Sequence, residues 1–264
     1  MWVRKRIDIG WLDLLSARFN CVWPGSRSSA SDVAEAAWST DGRAFACLSV
    51  RSGLDLALKA LELPPGSEVL ISALTIPDMV RIIEHHGLVA VPIDLHDEGV
   101  SPRVELLAQL VAEKTKAILV AQLFGGRFGL APFVEFARQH DLVLIEDCAQ
   151  AFEGDRYKGH DEADVSMFSF GPIKTATALG GGVFRIKDES LLARMRELQA
   201  AYPVQSRWFF LKRVLFYTLL KILGGKLAFG IFVRACRLLG KDFDEVLNGS
   251  IRNFPEDEFF ASLR

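Results

Sequence analysis

Between about residue 43 and residue 200, short and continuously apolar runs alternate with amphipathic segments, and this alternation restricts the fold more than any other feature of the chain. The runs cover 45–50, 69–72, 89–93, 117–124, 142–145, 165–170 and 182–186, and several contain no polar residue at alternate positions. Unbroken apolarity of this kind marks strands covered on both faces, as parallel strands are. Helical patterns fall between them at 54–61, 78–86, 103–112, 132–139 and 189–200, and Pro64-Pro65-Gly66 separates two of the units. The expected architecture is α/β: a mainly parallel, seven-stranded sheet flanked by helices. In such sheets ligands gather beyond the carboxyl ends of the strands, so residues there carry the functional weight.

With 264 residues, half of them hydrophobic, the chain has enough material for a large core, and disorder is excluded. A net charge of −2 gives no general case for nucleic-acid binding. Cys21, Cys47, Cys148 and Cys236 are scattered without metal-ligand spacing and read as reduced thiols of a cytoplasmic protein. The five histidines likewise lack partners at metal-binding spacing, so no metal site is expected.

Three segments at predicted strand ends could carry chemistry. Ser52-Gly53 stands ahead of the helix at 54–61, where a hydroxyl and a helix N-terminus suit an anion. By itself such a turn is an ordinary cap. Glu146-Asp147-Cys148-Ala149-Gln150 follows the strand at 142–145, and a carboxylate there can hold a heteroaromatic nitrogen protonated. Its plainer reading is an acid at a helix start. Ser169-Phe170-Gly171-Pro172-Ile173-Lys174 closes the strand at 165–170, and an apolar, glycine-rich setting makes a lysine amine nucleophilic. A lone loop lysine is ordinarily solvated.

Taken in order, the segments "SGLDLALKALELPPGSEVLIS", "EKTKAILVAQLFGG", "LIEDCAQAFEGDRYKG" and "DVSMFSFGPIKTATALGGGVF" resemble fold-type I enzymes dependent on pyridoxal phosphate, and specifically the DegT/StrS family of sugar aminotransferases. The resemblance covers about Phe45 to Ala200. It implies that Lys174 binds the coenzyme aldehyde covalently and later moves the proton between Cα and C4′. Asp147 would pair with the pyridinium nitrogen, and Gln150 would lie near the phenolic oxygen. Ser52, Gly53 and Ser169 would cradle the phosphate, and Ile76 occupies the position that covers the ring face. The implied reaction moves an amino group, glutamate being the expected donor, to a keto-sugar carried on a nucleotide, in polysaccharide, lipopolysaccharide or secondary-metabolite biosynthesis. A homodimer is implied as well.

The sequence departs from the family in several places. Leu54 stands where relatives carry a threonine hydroxyl, and Ile76 stands where they stack an aromatic ring. Lys174, where dehydratases of the family have histidine, favours transamination. No Tyr-Asn-x-Arg segment follows Lys174, so the chain reads as the large domain without the small one. The alternative to an aminotransferase is therefore a truncated, non-catalytic remnant or interaction module. The expected organisation is an N-terminal arm at 1–42, a coenzyme-binding domain at 43–201 and a basic, apolar helical extension at 202–264.

That extension has its own character. Residues 202–241 contain eight Lys or Arg and no acid, whereas 242–264 contain six acids and two bases. Its longest uncharged stretches have seven residues, far short of the ~20 that cross a bilayer. Three uses are open: a helical insertion packed on the protein or a partner, peripheral contact of 209–241 with an anionic membrane, and attraction of a nucleotide diphosphate. The packed insertion ranks first.

Overall fold

The computed structural model describes residues 7–23 and 25–243. The basic residues Arg4, Lys5 and Arg6 and most of the acidic stretch at 242–264 lie outside the described residues. In chain order the helices are α1 (Trp11–Val22), α2 (Arg27–Trp38), α3 (Val50–Leu61), α4 (Pro77–His85), α5 (Leu107–Leu110), α6 (Ala131–Gln139), α7 (Glu189–Ala200), α8 (Arg207–Leu223) and α9 (Lys226–Leu238). The strands are β1 (Ala44–Cys47), β2 (Glu68–Ser72), β3 (Val89–Ile93), β4 (Thr115–Ala121), β5 (Val143–Asp147), β6 (Val165–Ser169) and β7 (Gly182–Ile186). Two compact units result: Ser26–Gly171 with Gly180–Tyr202, and Met1–Gly25 with Pro172–Leu179 and Pro203–Arg264.

The first unit is built on a seven-stranded sheet of order β1-β7-β6-β5-β4-β2-β3. The run from β3 to β6 is parallel, and β7 is antiparallel to both its neighbours. Because β7 reverses twice, β1 points the same way as β6, and the helix that follows β1 starts at the edge where the parallel strands end. Strand order reverses between β2 and β4, the position at which open α/β sheets form a crevice. Every residue of β4 from Ala117 to Ala121 is buried, so this strand is covered on both faces, as its unbroken apolarity demands.

Local chemistry shifts several element boundaries from their expected places. Val50 begins α3 instead of closing β1, because the Ser49 hydroxyl accepts the Ser52 N–H at 3.1 Å and starts the helix early. Ser52 and Gly53 therefore lie inside the first turn and not ahead of it. The helix expected over 103–112 shrinks to a 3₁₀ turn and the single turn α5, since the Ala112 N–H is taken by the Thr115 hydroxyl at 2.9 Å. β4 stops at Ala121, and Phe124 adopts the left-handed conformation with φ 56°.

Two glycines set how closely α3 lies on the sheet. A Cβ on Gly53 would come within 2.2 Å of the Phe184 ring on β7, and one on Gly182 within 2.9 Å of the Ser49–Val50 backbone. The far side of α3 is held by Asp55, which is fully buried and meets His86 Nε2 at 3.0 Å and the Tyr202 hydroxyl at 2.9 Å. α2 is fastened by Glu35, which accepts the Ala46 N–H at 2.8 Å and an Arg196 nitrogen from α7 at 2.6 Å.

The second unit contains α1, α8, α9 and the segment Pro172–Leu179. Among the described residues, Leu14, Leu179 and Val214 form a core cluster in it, with Ile9, Phe210 and Tyr217 packed around them.

Replacing Gly53 by Ala should destabilise the protein by about 1–3 kcal/mol, the usual cost of overpacking. Urea denaturation would show a lower midpoint with an unchanged slope. An unaffected midpoint would mean that α3 can lift from Phe184 freely.

Candidate active site

Asp147 and Glu146 end β5, the strand between β4 and β6, and because side chains alternate along a strand they leave it on opposite faces. Asp147 is 8% exposed. Its Oδ1 accepts the Ala149 N–H at 2.9 Å, and its carbonyl accepts the Gln122 N–H from the exit of β4, also at 2.9 Å. The carboxylate is thus aimed by the turn that follows it.

Glu146 is fully buried and collects donors from four places. The Tyr157 hydroxyl donates at 2.5 Å, the His160 N–H at 3.0 Å, the Ser166 hydroxyl at 3.0 Å and Gln122 Nε2 at 3.2 Å. Burial, then the Glu146 carboxylate, pushes the Tyr157 phenol well above its ordinary range, so it stays protonated and donating. The same causes raise the Cys148 thiol, while burial alone dominates at Cys47, pushed up to about 12. The Arg127 guanidinium lies 4.2 Å from the Tyr157 ring centre and meets Glu153 at 3.1 Å. Gly159, with φ 102°, lets the chain pass Ser166, where a Cβ would come within 2.5 Å. None of these partners of Glu146 was expected from the sequence. The only trace there is the Tyr157-Lys158-Gly159 turn, whose meaning depends on a neighbour seven residues beyond its glycine.

The loop after β4 is pinned at both ends. The Phe128 N–H donates to Gln122 Oε1 at 3.0 Å, and the Phe124 N–H donates to Gln150 Oε1 at 3.1 Å. Gln150 is exposed, and its amide ties the exits of β4 and β5 together. The glycine-containing stretch Gly125–Gly129 is thereby held at the functional edge of the sheet.

Ser169, at the end of β6, is half-buried, and its hydroxyl lies 3.5 Å from the Gly171 N–H. Ser52 is buried, with its hydroxyl 2.9 Å from that of Ser49. The Gly53 N–H is committed to the Ser49 carbonyl at 2.9 Å, so the lack of a side chain at 53 serves the approach to Phe184 and does not open a backbone donor to a ligand. Ile76 caps α4 beyond β2 and is 46% exposed. Arg51 Nη1 and Asp78 Oδ2, 2.7 Å apart, join the first turns of α3 and α4. Asp147, Gln150, Ser169, Ser52 and Ile76 all belong to the edge at which β1, β2, β4, β5 and β6 end.

Lys174 stands five residues beyond Ser169 and is half-buried. The neck of its loop is closed in the first unit by the Phe170 N–H to the Gly181 carbonyl and the Gly180 N–H to the Phe170 carbonyl, both 3.1 Å. Its own segment is anchored in the second unit: the Thr177 hydroxyl accepts the Leu179 N–H at 2.9 Å, Arg213 donates to the Leu179 carbonyl at 3.2 Å, and the Leu179 side chain is buried.

Replacing Tyr157 by Phe keeps the ring under Arg127 and removes the donor nearest the Glu146 carboxylate. We expect a loss of about 1.5–3 kcal/mol in chemical denaturation, the range for a hydrogen bond to a buried charge. A loss under about 0.5 kcal/mol would show that the remaining donors suffice.

The sequence model of the DegT/DnrJ/EryC1/StrS aminotransferase family matches residues 25–210. GDP-perosamine synthase of Caulobacter vibrioides is 33% identical over 171 residues, covering 63% of this chain and 46% of that protein. UDP-4-amino-4-deoxy-L-arabinose–oxoglutarate aminotransferase of Shewanella sediminis is 29% identical over 191 residues, 65% of this chain and 49% of that one. This chain thus spans about half the length of these relatives. Among solved structures, the aminotransferase TlmJ of Streptoalloteichus hindustanus superposes with a TM-score of 0.67 at 23% identity, over 76% of this chain and 57% of that one. The fold is that of the fold-type I aminotransferases.

Proposed function

We propose, from the premise that this chain belongs to the DegT/DnrJ/EryC1/StrS aminotransferase family, that it carries the coenzyme-binding part of a transaminase acting on a keto-sugar attached to a nucleotide. The observation that carries this reading is the Asp147 carboxylate, buried and aimed at the carboxyl edge of the sheet. A buried carboxylate is the group a protonated ring nitrogen requires, and hydroxyls at Ser52 and Ser169 beside a helix N-terminus suit a phosphate. The donor set therefore fits pyridoxal 5′-phosphate. Names of relatives support the substrates: one is a synthase of a GDP-linked amino sugar, and another is named for oxoglutarate, the keto acid that glutamate becomes.

When bound, pyridoxal phosphate supplies an aldehyde and a cationic ring that withdraws electrons from the substrate carbon. In this reading Asp147 keeps the proton on the ring nitrogen. Lys174 would hold the coenzyme through its amine and would carry a proton to and from the reacting carbon. The hydroxyls of Ser52 and Ser169 would hold the phosphate at the positive end of α3, and Gln150 and Ile76 would contact the ring. Gly53 contributes by letting the helix end lie low on β7. In the same reading the residues that bind the coenzyme fall within 43–201, the protein acts in the cytoplasm, and it works as a homodimer.

The test is a half-reaction. After reconstitution with pyridoxal phosphate, glutamate should bleach the visible absorption band and release one oxoglutarate per site. Lys174→Ala should abolish both, and Asp147→Asn should slow the conversion by on the order of 100-fold, as loss of a preorganised charge does. Coenzyme uptake without any glutamate conversion would instead identify a non-catalytic coenzyme-binding module.

A further inference from the structure

We infer that α8 and α9 form a docking surface for an anionic membrane. Trp208, Leu215, Leu219 and Ile222 fall within roughly 60° of arc on α8, and all four are exposed. On α9, Leu227, Ile231 and Leu238 fall within roughly 40° and are 86%, 69% and 87% exposed. The opposite side of α9 buries Phe229, Val233 and Cys236 in its own unit, so the outer stripe is additional to the packing face. α1, packed against α8 in the same unit, also exposes Leu12, Leu15 and Phe19, with the acidic Asp13 among them.

The charge of this surface decides what covers it. The stretch 202–241 has eight basic residues and no acidic one. At 100° per residue, Lys212 lies about 20° from the α8 stripe and Arg234 about 20° from the α9 stripe. A second copy of the same face would bring cation against cation. A bilayer with anionic headgroups offers hydrocarbon to the stripes and negative charge to the residues flanking them, and long basic side chains reach outward to the headgroups while their stems stay in apolar surroundings. Trp208 has the amphipathic ring suited to that boundary.

The geometry also sets the mode. Among the described residues no single helix is long and apolar enough to cross a membrane, and α8 and α9 are bent by 93° at Gly224-Gly225. The inferred contact is shallow, with the stripes entering the headgroup boundary.

Co-sedimentation of the full 264-residue chain with vesicles tests this. Vesicles containing about one-third phosphatidylglycerol should bind at least ~10-fold more tightly than phosphatidylcholine alone, and binding should weaken as ionic strength rises toward ~1 M, where the Debye length falls to about 3 Å. A double variant, Lys212→Gln with Arg234→Gln, should bind anionic vesicles about 25-fold more weakly, because each basic residue near the surface contributes about fivefold. Leu227→Ser with Ile231→Ser should also lose binding while the circular dichroism spectrum stays unchanged. Equal binding to both vesicle types, or full binding by both variants, overturns the inference. So does sedimentation velocity in which the Ser variants dissociate a larger species, for the stripes would then be an interface between copies. The outcome does not depend on whether the half-reaction succeeds.

Discussion

The buried carboxylate of Glu146 is the constraint on which the rest of the site depends. Removing such a charge from water costs several kcal/mol, and only a full set of donors offsets this. Here the donors come from the exit of β4, the loop containing Tyr157 and His160, and β6. Satisfying one side chain therefore fixes β4, β5 and β6 relative to each other. Asp147, one residue further and on the other face, inherits that rigidity without sharing the hydrogen bonds. The two carboxylates are thereby separated: Glu146 is buried and saturated, while Asp147 lies at the carboxyl edge of the sheet.

Sheet topology supplies the second condition. The strand-order reversal between β2 and β4 opens the edge, and the double antiparallel pairing of β7 brings β1 and then α3 to the same side. Gly53 and Gly182 let the α3 N-terminus lie low over the sheet, and Arg51 with Asp78 fastens it to α4. A helix end delivered in this way offers partial positive charge and hydroxyls where an anion would sit. The same glycine that a motif reading assigns to ligand contact proves to be required by an aromatic ring 131 positions along the chain.

The second unit follows a different rule. Its described helices present apolar residues both inward and outward. On α8 and α9 the outward residues are interleaved with basic side chains and no acidic ones, which distinguishes them from the scattered apolar exposure found on any protein surface. A surface of this composition fits the α8–α9 pair to an apolar, negatively charged environment.

Much of the fold was legible in the sequence because its signals are local. Continuous apolarity marked the seven strands, and their ends placed Asp147 and Ser169 at the carboxyl edge of the sheet, since covering both faces of a parallel sheet leaves a periodicity that any window of residues displays. The motif at Lys174 was likewise readable as a string. Tertiary structure alone decided that Ser49, and not the Ser52-Gly53 pair, starts α3, that Gly53 answers to Phe184, and that Glu146 is held by Tyr157, His160, Ser166 and Gln122. It alone decided which faces of α8 and α9 turn outward. Those outcomes depend on atoms brought within about 3 Å across separations of tens of residues, or on which of two apolar stripes finds a partner. Neither leaves a periodic trace in the chain, because the pairing is created by packing and exists only once the elements have met.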